Sequence, residues 1–187
     1  MEVFETDNDR LAYFRFLKKY AAQYHLSIYA YWPMTNPIHL VAEPANETAL
    51  GKALRDAHTV YAMYFNARTA LSGRAGQRRF YSCLFDEHHL WAAVRYVKRN
   101  PVKAGLVELA EQYRWLSAAV HCGRSANDLL SVDFPPPVVI ENWSAWLAQP
   151  DEESVIAYIC QQTQTRGPCG SETFLGQREG LLCRNVR

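Results

Sequence analysis

The residues of greatest chemical interest are a tyrosine and an asparagine four positions apart, Tyr96 and Asn100. In a helix this spacing places both side chains on one face, and they are surrounded by four cations, Arg95, Lys98, Arg99 and Lys103. A phenol has a pKa of about 10, so it attacks a phosphodiester where cations hold the phosphate and a divalent metal polarises it. The pattern is compatible with such a nucleophile, but a tyrosine on a helix usually has a packing role, which is the alternative.

A histidine in a short apolar segment is the second chemical feature. His39 follows Pro37 and Ile38 at the start of IHLVAE, residues 38–43. Strand alternation places positions 37 and 39 on one face, and two histidines with this spacing are typical of a divalent-metal site. Proline occupies the first of these positions, so His39 is either a remaining ligand or a structural residue of the strand.

These residues need elements that carry them to one place. Asp7 or Asp9 is predicted to cap the first helix, in which apolar residues recur at helical spacing. β-branched and aromatic runs indicate strands, and Asp86 is predicted to cap a helix that Pro101 ends. The predicted order is helix, strand, strand, helix, strand, helix, over residues 7–24, 26–34, 38–43, 47–70, 79–85 and 86–100. This order is typical of an α+β sandwich, in which helices cover one face of a small, mainly antiparallel sheet.

The sequence changes character after Gly105, which predicts three regions. We expect one domain over residues 1–122, a linker over 123–137 and a small helical region over 138–187. Trp143 and Trp146 are expected to close this helical appendage, although tryptophan is also enriched at protein interfaces.

Positive charge is concentrated in one part of the chain. The net formal charge is only +1, but residues 68–103 carry eight Lys and Arg against two acidic residues. Such a local basic surface suits a phosphate backbone, and a solvated helix face is the alternative. Five cysteines without CxxC spacing, an acidic N-terminus and the lack of a long apolar run predict a cytoplasmic protein that does not enter a membrane.

Several longer motifs resemble one known family. AYWPMTNPIHLVAEP (30–44) is similar to AYxxMPNHxHLLxxP, and GQRRFYSCLFDEHHLWAAVRYVKRNPVKAGLV (76–107) is similar to WQxRFxSxxxDExxLxxAxRYIxxNPVxAGLV. Both patterns are those of the single-tyrosine HUH transposases of the REP-associated type. TVYAMYFNARTALSG (59–73) resembles the family's Tyr-Phe-Asn-Arg helix end, and RGPCGSETFL (166–175) resembles a C-terminal element of its longer members.

The resemblance implies a ferredoxin-like HUH nuclease core that binds single-stranded or hairpin DNA, as a monomer or as a homodimer. It implies that Tyr96 forms a 5′-phosphotyrosine link during DNA transposition, and that His39 and Asn100 bind Mg²⁺ or Mn²⁺. The resemblance places Asn66, Arg68, Arg78 and Arg79 near the DNA backbone. The positive charge around Tyr96 adds Arg95, Lys98 and Lys103 to the predicted DNA contacts.

The sequence departs from the family pattern in three ways. Pro37 replaces the first metal-binding histidine, Gly76 replaces a tryptophan, and the family's first strand has no counterpart before Met1. Proline offers no side-chain ligand, and the loss of a central strand would leave unpaired edges. We therefore expect a degenerate member in which cleavage is impaired. The missing strand is explained by an N-terminal truncation, by a start codon that lies upstream, or by a strand from another chain.

Two other functions are compatible with the same residues. A non-catalytic DNA-binding module would use the basic stretch without the chemistry of Tyr96. A protein-interaction scaffold would instead use the aromatic C-terminal region, and it would not retain DNA even at low salt.

Overall fold

The computed structural model describes residues 3–33, 38–69, 82–131, 139–165 and 167–176. One long helix precedes a β-hairpin, two long helices follow it, and the remaining helices are shorter. In chain order they are α1 (Asp7–Gln23), β1 (Leu26–Pro33), β2 (Ile38–Pro44), α2 (Ala49–Thr69), α3 (Glu87–Lys103), a 3₁₀ turn (Ala110–Gln112), α4 (Ser117–His121), α5 (Trp143–Ala148) and α6 (Glu153–Thr165).

The hairpin is the sheet of the described part of the chain, and it confirms the predicted α+β class. β1 and β2 pair antiparallel, with Trp32 opposite His39. An irregularity between Ile28 and Ala30 shifts the register along β1. Nearly every residue of β1 is buried, as expected for the segment LSIYAYWP, which is apolar except for Ser27 and shows no alternation of polar and apolar residues.

One side of the hairpin packs against α1 and α2. Ile28 and Tyr31 of β1 share a core with Leu17 of α1 and with Tyr61 and Phe65 of α2. Burial of large apolar side chains of this kind contributes about 1.5–3 kcal/mol each to folding. This layer holds the first two helices in place but contains none of the predicted catalytic or metal-binding residues.

The other side of the hairpin packs against α3 and the C-terminal helices. Trp32 shares a second core with Val94 of α3, Leu116, Leu147 of α5 and Ile159 of α6. Helices therefore cover both faces of the sheet, so the prediction that they cover one face is wrong for this hairpin. The reason is that β1 is apolar on both faces, and each face needs a cover.

The segment that follows α4 contacts the outer edge of β1. The Ser131 amide donates to the Ile28 carbonyl at 2.8 Å, and the Tyr31 amide donates to Ser117 Oγ at 3.0 Å. Asn127 adds a hydrogen bond to the Tyr31 hydroxyl at 2.7 Å. Residues 123–131 of the predicted linker thus pack on the hairpin. Ser131 of this segment and Ser117 of α4 each satisfy one backbone group that an edge strand otherwise leaves open.

Two predicted boundaries differ from the structure. Of the expected strand 79–85, residues 79–81 lie outside the described residues, and within 82–85 Phe85 forms a single parallel bridge with Cys169. Helix α3 continues through Pro101, which the sequence predicted to end it. A proline removes one helical hydrogen bond, and the chain leaves the helix near Gly105, whose φ of +67° suits glycine.

The N-terminus of α1 depends on a reciprocal cap. Thr6 accepts from the Asp9 amide at 3.3 Å, and the Asp9 carboxylate accepts from the Thr6 amide at 2.8 Å. The cap residue is thus Thr6 rather than the predicted Asp7 or Asp9. We expect Thr6→Ala to lower the free energy of unfolding by about 1 kcal/mol, as loss of an N-cap typically does, measured by urea denaturation.

The matched control for this substitution is Thr59→Ala. Thr59 lies in the exposed middle of α2, and its hydroxyl donates to the Arg55 carbonyl at 2.7 Å. Alanine is the better helix former at such a position, so the control is expected to leave stability unchanged or to raise it slightly. Equal losses for both substitutions would contradict the capping role of Thr6.

Candidate functional site

Tyr96 lies half-buried on α3, beneath the C-terminal helices. Its hydroxyl is hydrogen-bonded to the Cys160 thiol of α6, with 3.5 Å between oxygen and sulfur. The Lys103 ammonium stands 5.2 Å from the centre of its ring, and Asn100 is buried one turn further along the helix. The predicted pairing of phenol, amide and cation on one helix face is therefore present.

The surroundings of Tyr96 disfavour its ionised form. Burial raises the pKa of the Tyr96 phenol to about 12, and the Cys160 thiol acts in the same direction, whereas the Asn100 amide opposes it. At neutral pH the phenolate fraction is then about a hundredfold smaller than for a free tyrosine. Tyr96 is a weak nucleophile in this conformation.

His39 lies on the same side of the hairpin as α3. Its ring stacks on Trp32, its direct partner across the two strands, with 5.7 Å between ring centres. The Trp32 side chain belongs to the core against which Tyr96 packs. Burial lowers the pKa of His39, so its imidazole is neutral near pH 7, which is the form that binds metals.

These residues do not make up a complete metal site. Within the described ranges, no group of three or more His, Cys, Asp or Glu side chains is placed to hold an ion. His39 and Asn100 alone would leave a hard divalent cation held largely by water. Position 37 lies outside the described residues, and a proline has no side-chain ligand to offer. The donor set does not fit Mg²⁺ or Mn²⁺ well enough to assign a metal-dependent step.

The basic face of α3 is occupied by a carboxylate from the chain itself. Asp151, between α5 and α6, is 2.9 Å from Lys103 Nζ and 3.0 Å from an Arg99 terminal nitrogen. Arg95 Nε is 3.6 Å from the other carboxylate oxygen. The Asp151 side chain is only 6% exposed, so three cations on successive turns neutralise one buried anion.

Arg95 has further partners in the same segment. Its guanidinium donates to the Gln149 and Pro150 carbonyls at 2.6 and 3.0 Å, and it lies over the Trp146 ring at 5.2 Å. Sequence reasoning predicted the cations of α3 but missed Asp151 and its neighbours. The acidic run at residues 151–153 was a signal in the sequence that this segment could pair with the cations of α3.

Lys98 lies inside the molecule, not at the surface expected of a DNA contact. Its side chain is 0% exposed, and its ammonium nitrogen is 3.2 Å from Ser117 Oγ and 2.6 Å from His121 Nδ1. The nitrogen also stands 5.0 Å from the Trp143 ring centre. Burial lowers the pKa of Lys98 well below its usual range, and burial and the lysine together lower that of His121 to about 3.

Arg68 is also engaged internally. Its guanidinium pairs with the buried Asp9 carboxylate at 2.9 Å and with Glu5 at 2.9 Å, which ties the end of α2 to the start of α1. Asn66 lies on the same helix, and α2 and α3 pack on opposite sides of the hairpin. Neither residue is therefore grouped with Tyr96. Arg78 and Arg79 lie outside the described residues.

No helix in the described ranges is both long and apolar enough to cross a membrane.

A scan of protein-family models and searches of curated proteins and solved structures find no match to this chain. The function is therefore inferred from the motifs of the sequence and from the geometry of α3.

Proposed function

We propose that this chain is a transposase-like protein that binds single-stranded or hairpin DNA and cleaves it poorly or not at all. The observation that supports this most directly is the arrangement of Arg95, Arg99 and Lys103 around the Asp151 carboxylate. A stripe of cations that already binds one oxygen anion has the chemistry needed for a phosphate. The proposed core is of the ferredoxin-like HUH type, which the motifs around Tyr96 resemble.

DNA binding at α3 requires residues 149–151 to move away from the cations of α3. A phosphate oxygen would take the place of the Asp151 carboxylate on Arg99 and Lys103, and Arg95 would exchange two carbonyl acceptors for the backbone. Each phosphate contact releases counterions from DNA, so binding is expected to weaken as salt rises. Cytoplasmic location and homodimer formation belong to the same proposal.

Cleavage is the weaker part of the family chemistry here. Attack by Tyr96 requires loss of a proton from a phenol whose pKa is about 12, beside a thiol rather than a base. The raised pKa favours a binding role over transposition, so a non-catalytic DNA-binding module is the second candidate function. Both candidates share the basic face of α3 and differ only in whether the tyrosine reacts.

A binding and nicking experiment on a fluorescent hairpin with a single-stranded flank tests this proposal. At 50 mM salt we expect the chain to raise the anisotropy of the probe, and Tyr96→Phe to change its Kd less than about twofold. With Mn²⁺ present, we expect no covalent protein–DNA adduct on a denaturing gel, because the phenol stays protonated.

Two outcomes would change this view. No retention of DNA at low salt would contradict the proposal and favour a protein-interaction scaffold. A Tyr96-dependent adduct with the natural chain would contradict impaired cleavage. Pro37→His is the matched variant, because a Tyr96-dependent adduct gained only with histidine would assign the defect to the missing ligand.

A further inference from the structure

Among the described residues, the exposed cations without a carboxylate partner lie outside the predicted basic stretch 68–103. Arg95, Arg99 and Lys103 all pair with Asp151. Within the described ranges, four exposed cations have no carboxylate oxygen within 4.0 Å. They are Arg15, Lys19, Lys52 and Arg124.

Two of these free cations lie one turn apart on α1 and cover aromatic rings. The Arg15 guanidinium is 5.2 Å from the Phe16 ring centre, and the Lys19 ammonium is 5.2 Å from that of Tyr20. Phe16 in turn contacts Tyr64 of α2 edge to face, at 6.3 Å. All three rings are partly exposed, so cations and aromatic surface alternate along one strip.

The charge around this strip is mainly positive. Residues 10–23 of α1 include four cations and no carboxylate. Among the described residues, two carboxylates from other segments contact residues of α1 or its C-terminal cap: Asp128 pairs with Lys18, and Asp56 accepts from Tyr24 while it pairs with Arg55. Each of these anions therefore has a cation of its own, and Arg15 and Lys19 stay available to an external anion.

We propose that this strip, made of Arg15, Phe16, Lys19, Tyr20 and Tyr64, is a second contact surface for single-stranded nucleic acid. Phosphates would bind Arg15 and Lys19, and unpaired bases would stack on the rings that these cations now cover. Stacking on an aromatic side chain contributes about 1–3 kcal/mol per base without sequence preference.

The strip is separate from the tyrosine. Helices α1 and α2 pack on one side of the hairpin, and α3 with Tyr96 packs on the other. The inference therefore goes beyond the proposed function and rests on it only in taking nucleic acid as the ligand. A strand bound at both surfaces would have to pass around the molecule.

The test compares two double variants that remove equal charge. Arg15→Ala/Lys19→Ala removes the free cations of the strip, and Lys52→Ala/Arg124→Ala removes the other two free cations. With a labelled twenty-nucleotide oligo(dT), we expect the first pair to raise Kd at least about tenfold and the second less than about threefold. The slope of log Kd against log salt should fall by about 1.4 for the first pair, at about 0.7 per phosphate contact on single strands.

Stacking is tested separately with Tyr20→Leu and with an abasic oligonucleotide of the same length. We expect Tyr20→Leu to weaken oligo(dT) binding several-fold and to leave abasic binding unchanged, with circular dichroism used to confirm folding. Equal losses for the two double variants would overturn the inference, because net charge alone would then set affinity. Strip-dependent binding to anionic phosphatidylserine vesicles but not to oligo(dT) would also overturn it.

The two proposals fail in different ways. If the natural chain binds no DNA, both are wrong. If it binds DNA, and substitutions on α3 weaken binding while Arg15→Ala/Lys19→Ala does not, only the second surface is wrong.

Discussion

Asp151→Asn is expected to raise the affinity of the chain for hairpin DNA about tenfold at 50 mM salt. The substitution removes the anion that now neutralises Arg95, Arg99 and Lys103, so a phosphate no longer has to displace a competing charge. Three additional cations also steepen the salt dependence of binding. Fluorescence anisotropy over a series of salt concentrations measures both effects.

The control is Glu153→Gln, which makes the same change in charge two residues away. Glu153 is exposed at the start of α6 and has no cation within ion-pair distance in the described ranges. The affinity of the Glu153→Gln variant for DNA should stay within about twofold of that of the natural chain, because the net charge changes by only one unit. If the two variants behave alike, or if Asp151→Asn weakens binding, the basic face of α3 is not the DNA contact.

Lys98→Met is expected to stabilise the protein by about 2 kcal/mol at pH 7. Deprotonating a lysine of ordinary pKa at pH 7 costs about 5 kcal/mol, at 1.36 kcal/mol per pH unit, and the fully buried Lys98 is pushed toward its neutral form. Methionine avoids this cost but loses the hydrogen bonds to Ser117 and His121. A gain of this size raises Tm by about 4–8 °C in a chain of this length.

Lys98 also makes the stability of the protein depend on pH. Burial lowers the folded-state pKa of Lys98, so the unfolded chain binds more protons from that lowered value up to about 10.5, and stability rises with pH. His121 acts in the same sense at lower pH, since its pKa falls from 6.5 to about 3, and stability is lost as pH falls through that window. Tm should therefore rise between pH 7 and pH 9 in the natural chain and change little in Lys98→Met.

Thermal unfolding at several pH values, followed by circular dichroism, gives both results. Lys52→Met is the matched control, because Lys52 is exposed and its charge stays in water. A lower Tm for Lys98→Met at pH 7 would contradict the stability argument. An unchanged slope between pH 7 and pH 9 would show that another group titrates there.

The local elements could be predicted well because their signals lie within short segments. The hairpin and α1, α2 and α3 begin within a few residues of their predicted positions, as helical and strand periodicity requires. The capping role of Thr6 was missed because Thr6, Asp7 and Asp9 are all good N-cap residues. Helices on both faces of the sheet could have been inferred from β1, whose apolar run shows no alternation.

The candidate site was harder to predict because its partners come from distant segments. The pairing of Tyr96 with Asn100 follows from helical spacing, but the contact between Tyr96 and Cys160 joins residues 64 positions apart. Burial of Lys98 could not be predicted, because the sequence of α3 does not distinguish the one fully buried cation from its exposed or paired neighbours. Its position on α3 turns it toward α4 and α5, and only the packing of those helices decides that.

The two apolar cores have one strand in common. β1 contributes Ile28 and Tyr31 to one core and Tyr29 and Trp32 to the other. If either helical layer unfolded, one face of β1 would be exposed to water, and the opposite layer packs on the same strand. The two halves of the molecule are consequently expected to lose their structure together, as a single cooperative unit, although the chain that connects them is long.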